Sequence, residues 1–332
     1  MRAATTVNRP RGRGFGPEWS WLAGIVVLEC AVLALLEPSF LTQFNLYVVL
    51  RGVAVTLLVA FAQLVVLAIG QLNLSVGAIG GLVAVCTGGL MEVWGMPTLP
   101  AVVLGLLLGT AAGFINGALT ARTGINGFVI TLATASAFTG ITIGLNNAEP
   151  FYDLPARYVA FGQAQLGPIP AIGFVTLLVV LGLAFFFGRV VMGRQILAVG
   201  GNARAAALSG IPVDRVVIAA HALSGFLAAV AAILLMARLG SAQPSIGSDW
   251  LLPSFAIPIV GGVALAGGGA PVLTTVLAAF LIALIDNGLV LTKADPYWIQ
   301  FLLGAIILGA VGLNRLRTVA ESRDARRLGV AG

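Results

Sequence analysis

Charge is scarce in this chain. Only 9% of its 332 residues are Asp, Glu, Lys or Arg, against roughly 25% in an ordinary soluble domain. With 59% hydrophobic residues, that scarcity excludes a water-soluble globular protein and defines an integral membrane protein. Cysteine is nearly absent too: Cys30 and Cys86 both fall inside apolar segments without metal-ligand spacing, so no disulfide framework is implied. There is a single histidine, His221, and no HExxH, CxxC or paired-carboxylate arrangement, which leaves metal and nucleophilic chemistry unsupported. Glycine-rich stretches occur, but none runs into the Lys-Ser or Lys-Thr of a phosphate-binding loop. Gly267-Gly268-Gly269 is followed by Ala270-Pro271, so no ATP-hydrolysing site is written in this chain. A lipid-modifying membrane enzyme would need a polar catalytic cluster, and none is present.

What is there is a series of apolar runs. A membrane-spanning helix needs about 20 mainly apolar residues, and ten segments qualify: 20–36, 46–70, 75–93, 98–121, 125–145, 169–187, 214–238, 251–267, 271–292 and 297–313. The expected fold is all-α and polytopic, with about ten transmembrane helices and both termini on one side. Residues 1–19 and 315–332 are its tails, and 20–314 its transmembrane domain. The N-terminal stretch is basic but has no small-residue cleavage site after its first apolar run, and reads as a retained tail.

The net charge of +6 is scattered between apolar segments and sets topology; it does not form a nucleic-acid-binding face. Arg2, Arg9, Arg11, Arg13, Arg122, Arg189, Arg194, Arg204, Arg215, Arg315, Arg317, Arg323, Arg326 and Arg327 fall on one side, fourteen of the eighteen Lys and Arg residues. The positive-inside rule makes that side cytoplasmic. Glu37, Glu92, Glu149, Asp153, Asp249 and Asp295 fall on the other. Trp19 and Trp21 sit at the inner end of the first span, and Tyr47, Trp94, Trp250, Tyr297 and Trp298 at outer ends, as an aromatic belt would. The outer loop at 146–168 suggests a short interfacial helix or turn.

The longest polar and basic interval is 188–215. Within it Asn202 is an N-cap, Ala203 to Ser209 form helix, Gly210 occupies the position after the helix, and Pro212 forbids continuation. A helix of about two turns does not stand alone in water, so it is expected to rest on something.

Polar groups at membrane depth are costly and mark pathways. Residues 70–77 (GQLNLSVG) interrupt apolar sequence, and read either as a broken helix lining a conduit or as a tight inner turn. Gly105, Gly109, Gly113 and Gly117 recur every four positions and suit close helix packing. Phe128 and Thr131 pair an aromatic ring with a hydroxyl, which suits a polyhydroxylated solute or core packing equally. Asp286-Asn287-Gly288 faces either a hydrated passage or a cation. Glu29 has no local partner, His221 reads as a core histidine, and Gln63 and Gln243 as helix-to-helix hydrogen bonders. Residues 70–75 and 261–266 look alike, but no long repeat is evident.

Several stretches together resemble the permease subunits of ribose/xylose/arabinose-type sugar ABC importers. They include Glu37-Pro38-Ser39-Phe40-Leu41-Thr42, GQLNLSVGAIGGLVAV at 70–85, and Asn116-Gly117 with Gly127-Phe128-Val129-Ile130-Thr131-Leu132. The fullest match is Gly193-Arg194 through Gly200-Gly201-Asn202, Ala205-Ala206 and Leu208-Ser209-Gly210-Ile211. It continues through Arg238–Pro244, Ile259–Gly262, Leu265–Gly268 and Asn287-Gly288-Leu289, so the likeness covers roughly 37–313. The chain departs at Asn73, where the family commonly has Asp, at Gln71 in place of Gly, and at 254–258, which lacks an acidic residue. These departures bear on which solute is carried.

The resemblance implies a multi-pass permease of the plasma or inner membrane, not an enzyme, that imports a small polar solute, a monosaccharide by family. Its partners would be a cytoplasmic ABC ATPase that binds the ATP, a periplasmic or surface-tethered solute-binding protein, and a second permease copy or paralogue, all within membrane lipid. No cofactor is expected in this chain. The pathway residues are then Asn73, Ser75, Phe128, Thr131 and Asn287. The loop at 188–215 is the ATPase-coupling element, carried by Arg194, Asn202, Ala205, Ala206, Ser209 and Gly210. An ion-coupled secondary transporter is the alternative, with Glu29 and Asp286 as its only available carboxylates; a passive channel is a further one.

Overall fold

A computed structural model of the chain describes residues 18–293 and, beyond them, Trp298, Phe301, Gly304, Ala305, Leu308 and Gly309. The described elements are α1 (Glu18–Leu36), α2 (Gln43–Ala68), α3 (Val76–Glu92), α4 (Thr98–Thr123), α5 (Gly127–Asn146), α6 (Ala156–Gln163), a hairpin of β1 (Gln165–Leu166) and β2 (Ile169–Pro170), α7 (Ala171–Arg189), α8 (Val191–Gly201), α9 (Ala203–Leu208), α10 (Val213–Leu239), α11 (Leu251–Val260) and α12 (Val272–Leu291). Nine of the ten expected spans each contain one of these helices. The tenth, 297–313, and both basic tails lie outside the described residues, apart from the isolated positions named above. Among the described residues, seven helices are long and apolar enough to cross a membrane: α1, α2, α4, α5, α7, α10 and α12. The fold is an all-α polytopic membrane bundle.

The ends of α2 and α4 and the start of α10 meet at one end of the bundle, where Arg122, Arg189, Arg194, Arg204 and Arg215 also lie. This end is called the basic face below. At the opposite face, Arg51 and Arg238 cross, each donating to the other's backbone carbonyl, at 3.1 and 3.4 Å.

Two helices form the core. α2 and α10 are the longest buried helices, and each lacks a polar stripe because neighbours surround it on all sides. The small residues of α4 explain how α10 is held. A methyl group at Gly113 or Gly117 would overlap the backbone of His221 or Ile218, and one at Gly225 would overlap Gly109 O. The two backbones therefore touch, as the four-residue glycine spacing anticipates.

Each core helix ends on a glycine in the left-handed conformation, Gly70 (φ 74°) and Gly240 (φ 70°), and continues into non-helical chain. The stretch 241–250 dips into the bundle along α3. Ala242 packs on Gly88, Ile246 O on Gly81, Trp250 on Gly80, and Gly247 lies backbone to backbone on Gly77. Gly77 is about 20 Å from the far end of α3 at 1.5 Å per residue. This corrects two expectations. Trp250 is not in the aromatic belt: it is 6% exposed, packed on Gly80 near the start of α3. The eighth span is not a helix over 251–267, because α11 begins deep in the bundle and stops at Val260, with Pro258 inside it and Gly261-Gly262 after it. The loop that follows α5 carries the short helix its prolines and aromatics suggest, α6, and adds the β1–β2 hairpin; paired backbone bonds between Phe151 and Ala242 tie it to the dipping stretch.

Candidate functional site

Residues 71–75 leave helix in the interior of the protein, so their backbone groups need partners. Side chains supply them. With its amide oriented to satisfy both ends, Gln63 donates to Asn73 O at 2.9 Å and accepts from Asn73 N–H at 3.2 Å. Leu74 N–H donates to Thr131 Oγ1 at 3.0 Å, and that hydroxyl donates to Gly127 O at 2.7 Å. Asn73 Oδ1 accepts from both the backbone N–H and the hydroxyl of Ser75, at 3.0 and 2.7 Å, while its Nδ2 donates to Ser224 Oγ at 2.9 Å. Asn116 Nδ2 donates to Ser75 Oγ at 2.7 Å. One polar cluster thus joins α2, the break, α4, α5 and α10. Every member is fully buried, and Asn116 Oδ1 is left without a partner. The sequence marks Asn116 as a polar group at membrane depth and Gln63 as a helix-to-helix hydrogen bonder, but it misses Ser224 and the convergence of all three, because a residue's place on the inner face of a helix shows only once the helices are packed.

Of the five expected pathway residues, the structure gathers Asn73, Ser75 and Thr131. It does not bring the other two to them. Phe128 is 42% exposed on the outside of α5. Asn287 forms a reciprocal amide pair with Asn45, at 3.0 and 2.8 Å, which pins α12 to the start of α2. The open space lies on either side of the cluster. Toward the basic face a cavity of about 300 Å³ is lined by Gly70, Gln71, Thr120, Asn126, Gly127 and Asp214. His221, buried beside it, bonds through Nε2 to Gln71 Oε1 at 2.9 Å. On the other side a cavity of about 80 Å³ is bounded by Thr139, Thr142, Gly77 and residues 244–248 of the dipping stretch. α5 contributes to both.

The interval 188–215 holds two helices where one is expected. α8 is the added one, and it buries Gly193, Ile196 and Val199 at a spacing of three. α9 is built as its capping signals dictate: Asn202 Oδ1 accepts from Ala205 N–H at 2.9 Å, and Ile211 N–H returns to Ala206 O at 3.0 Å beyond Gly210. Arg194, Asn202, Ala205, Ser209 and Gly210 are exposed, and Leu208 is 85% exposed at the tip. Ala206 is not on that surface. It is 5% exposed and faces the bundle, since a one-residue step turns a helix by about 100°.

The loop is joined to the break by backbone. Gly268 N–H donates to Ala68 O at 3.0 Å. A methyl at Gly200 would overlap that same carbonyl, and one at Gly70 would sit 2.8 Å from Ala266 O. Thus α8, the end of α2 and the 261–271 loop meet without side chains between them. Residues 70–75 and 261–266, alike in sequence, are the two non-helical stretches that meet here.

A multi-pass helical bundle with interrupted helices, a buried polar cluster between two cavities and an exposed helical loop on its basic face is a membrane permease. Comparison with known proteins names the group. The chain belongs to the family described as branched-chain amino acid transport system / permease component, whose model matches residues 44–311. It is 34% identical to the D-allose transport system permease protein of Escherichia coli K12, over 88% of this chain and 90% of that one. It is 35% identical to the ribose import permease protein of Bacillus subtilis 168, over 89% and 92%. It is 29% identical to an autoinducer 2 import system permease protein of Yersinia pseudotuberculosis, over 88% and 83%. No solved structure matches. The resemblance read from the motifs is borne out.

Proposed function

We propose that this chain imports a monosaccharide or similarly sized polyol, as one of the membrane subunits of an ATP-driven importer. The relatives named for allose and ribose support that solute class. The basic face is cytoplasmic, the chain crosses about ten times with both tails inside, and residues 20–314 form one transmembrane unit. ATP binds and is hydrolysed on a partner ATPase, a solute-binding protein delivers from outside, and a second permease copy or paralogue completes the complex. This chain does no covalent chemistry.

The observation that carries the reading is the stacking of the exposed α8–α9 loop on the end of α2. A force applied to α9 by a closing ATPase reaches Gly200, and from there the Ala68 carbonyl and the break at 70–75, without passing through flexible side chains. Shifting that end of α2 would rearrange the hydrogen bonds of Asn73, Ser75 and Thr131. Those same groups, once released, are donors and acceptors for a sugar hydroxyl. The solute's route runs beside α5, past Gly127, Thr131 and Thr139, since α5 borders both cavities; Phe128, on the outside of α5, is not assigned to it. Asn287 is assigned to holding α12 rather than to the route.

The deciding experiment uses proteoliposomes containing the chain with its ATPase and binding protein. Solute should stimulate ATP hydrolysis, and uptake should stop when the ATPase is left out. Uptake that persists without the ATPase and collapses with an uncoupler would replace this reading with an ion-coupled transporter.

A further inference from the structure

We infer that the groove between α4, α6, α7 and α10 is a binding site for an anionic phospholipid of the leaflet on the side of α6, its acyl chain in the groove and its phosphate at Arg157. The groove has a volume of about 820 Å³. α10 forms its floor with Val230 and Leu234, α4 one wall with Val102 and Leu106, and α7 the other with Leu178 and Val179. α7 packs mainly on α2 and α8, so its near half stands away from α4 and leaves the gap.

The depth of the groove decides what fills it. Its α4 wall runs from Thr98 to Leu106, about 12 Å at 1.5 Å per residue, within the ~15 Å of hydrocarbon that one leaflet provides. The walls are helices that cross the membrane, so the medium at this depth is lipid. An apolar cavity of this kind does not hold water, because water there finds too few polar partners. A sugar would leave its hydroxyls unpaired for the same reason. An acyl chain gains contact on three sides and loses none.

The rim supplies the headgroup end. Among the described residues, Arg157, at the first turn of α6, is the only charged side chain lining the groove. It is exposed and makes no hydrogen bond or ion pair among the described residues. Its neighbour Tyr158 is buried, and its hydroxyl is already engaged with Ile233 O. A guanidinium with all its donors open, placed where the apolar walls end, matches a phosphate and disfavours a choline.

Native mass spectrometry of the full-length chain, delipidated in mild detergent and titrated with phosphatidylglycerol and phosphatidylcholine of equal chain length, tests this. Wild type should bind phosphatidylglycerol about fivefold more tightly, the effect of one basic residue near an anionic headgroup. Arg157→Gln should remove the preference while leaving phosphatidylcholine binding in place. Leu178→Trp, at the mouth of the groove where Leu178 is 69% exposed, should weaken both lipids without unfolding the bundle. A preference that survives Arg157→Gln, or lipid binding untouched by Leu178→Trp, overturns the assignment. So does cross-linking of Leu178→Cys protomers to one another in native membranes, which would place a second copy in the groove.

Discussion

Asn73 is the residue on which the buried cluster depends, since it alone bonds Gln63, Ser75 and Ser224. Asn73→Leu keeps the volume and the backbone bonds to Gln63 but removes the side-chain bonds to Ser75 and Ser224, leaving Ser75 N–H without its acceptor in an apolar interior. Each orphaned group costs about 1–3 kcal/mol, so thermal unfolding in detergent should begin several degrees earlier. Asn73→Asp keeps the two acceptor bonds from Ser75 and lets Ser224 donate in its turn; it should unfold closer to wild type than Asn73→Leu does. Glycines make a second comparison at this scale. A methyl at Gly77 meets the backbone of Gly247, which cannot rotate away, whereas one at Gly140 meets nothing within 4 Å. Gly77→Ala is expected to cost on the order of 1–3 kcal/mol, as overpacking does, and Gly140→Ala to leave the melting profile unchanged. Equal profiles for the two would show that the dipping stretch is not packed on α3 as described.

At the scale of elements, α9 is the piece most fully legible in advance. Its cap, its length and its terminating glycine all follow from local rules acting on neighbours in sequence. Which of its sides faces out does not. Ala205 and Ala206 are chemically identical, and only packing against the bundle separates them. Leu208→Glu should therefore abolish solute-stimulated ATP hydrolysis while the chain inserts and melts normally, because it alters the exposed tip alone. Ala206→Glu buries a charge and should lower the melting temperature as well. Loss of stimulation with unchanged melting in both variants would mean that Ala206 is exposed. α8 was less legible: its glycines and β-branched residues are weak helix formers, and its signal was the spacing of Gly193, Ile196 and Val199. α11 failed as a span for the reverse reason. Its apolar run is long enough, but a continuous apolar run cannot distinguish a helix from buried irregular chain.

For the whole molecule, the charge asymmetry makes the sidedness testable. In a variant lacking Cys30 and Cys86, Tyr152→Cys should react with a membrane-impermeant maleimide on intact cells, and Arg204→Cys only after the membrane is opened. Both positions are exposed, so access alone decides the outcome. Labelling of Arg204→Cys in intact cells with Tyr152→Cys protected would reverse the assignment of the basic face.

Composition, hydrophobic run length and capping signals determined the class, eight of the described helices as spans, the smooth glycine face of α4 and the capped helix of the loop. These are properties of local sequence in a solvent that punishes every unpaired backbone group. Packing decided that α10 meets that glycine face. Tertiary structure alone decided that Gln63, Asn73, Ser75, Asn116, Thr131 and Ser224 share one cluster, that Asn287 pairs with Asn45 instead, and that 241–250 turns inward along α3. Their partners are up to 242 residues apart in the chain, and a hydrogen bond across that separation exists only because helix packing brings its two ends within 3 Å.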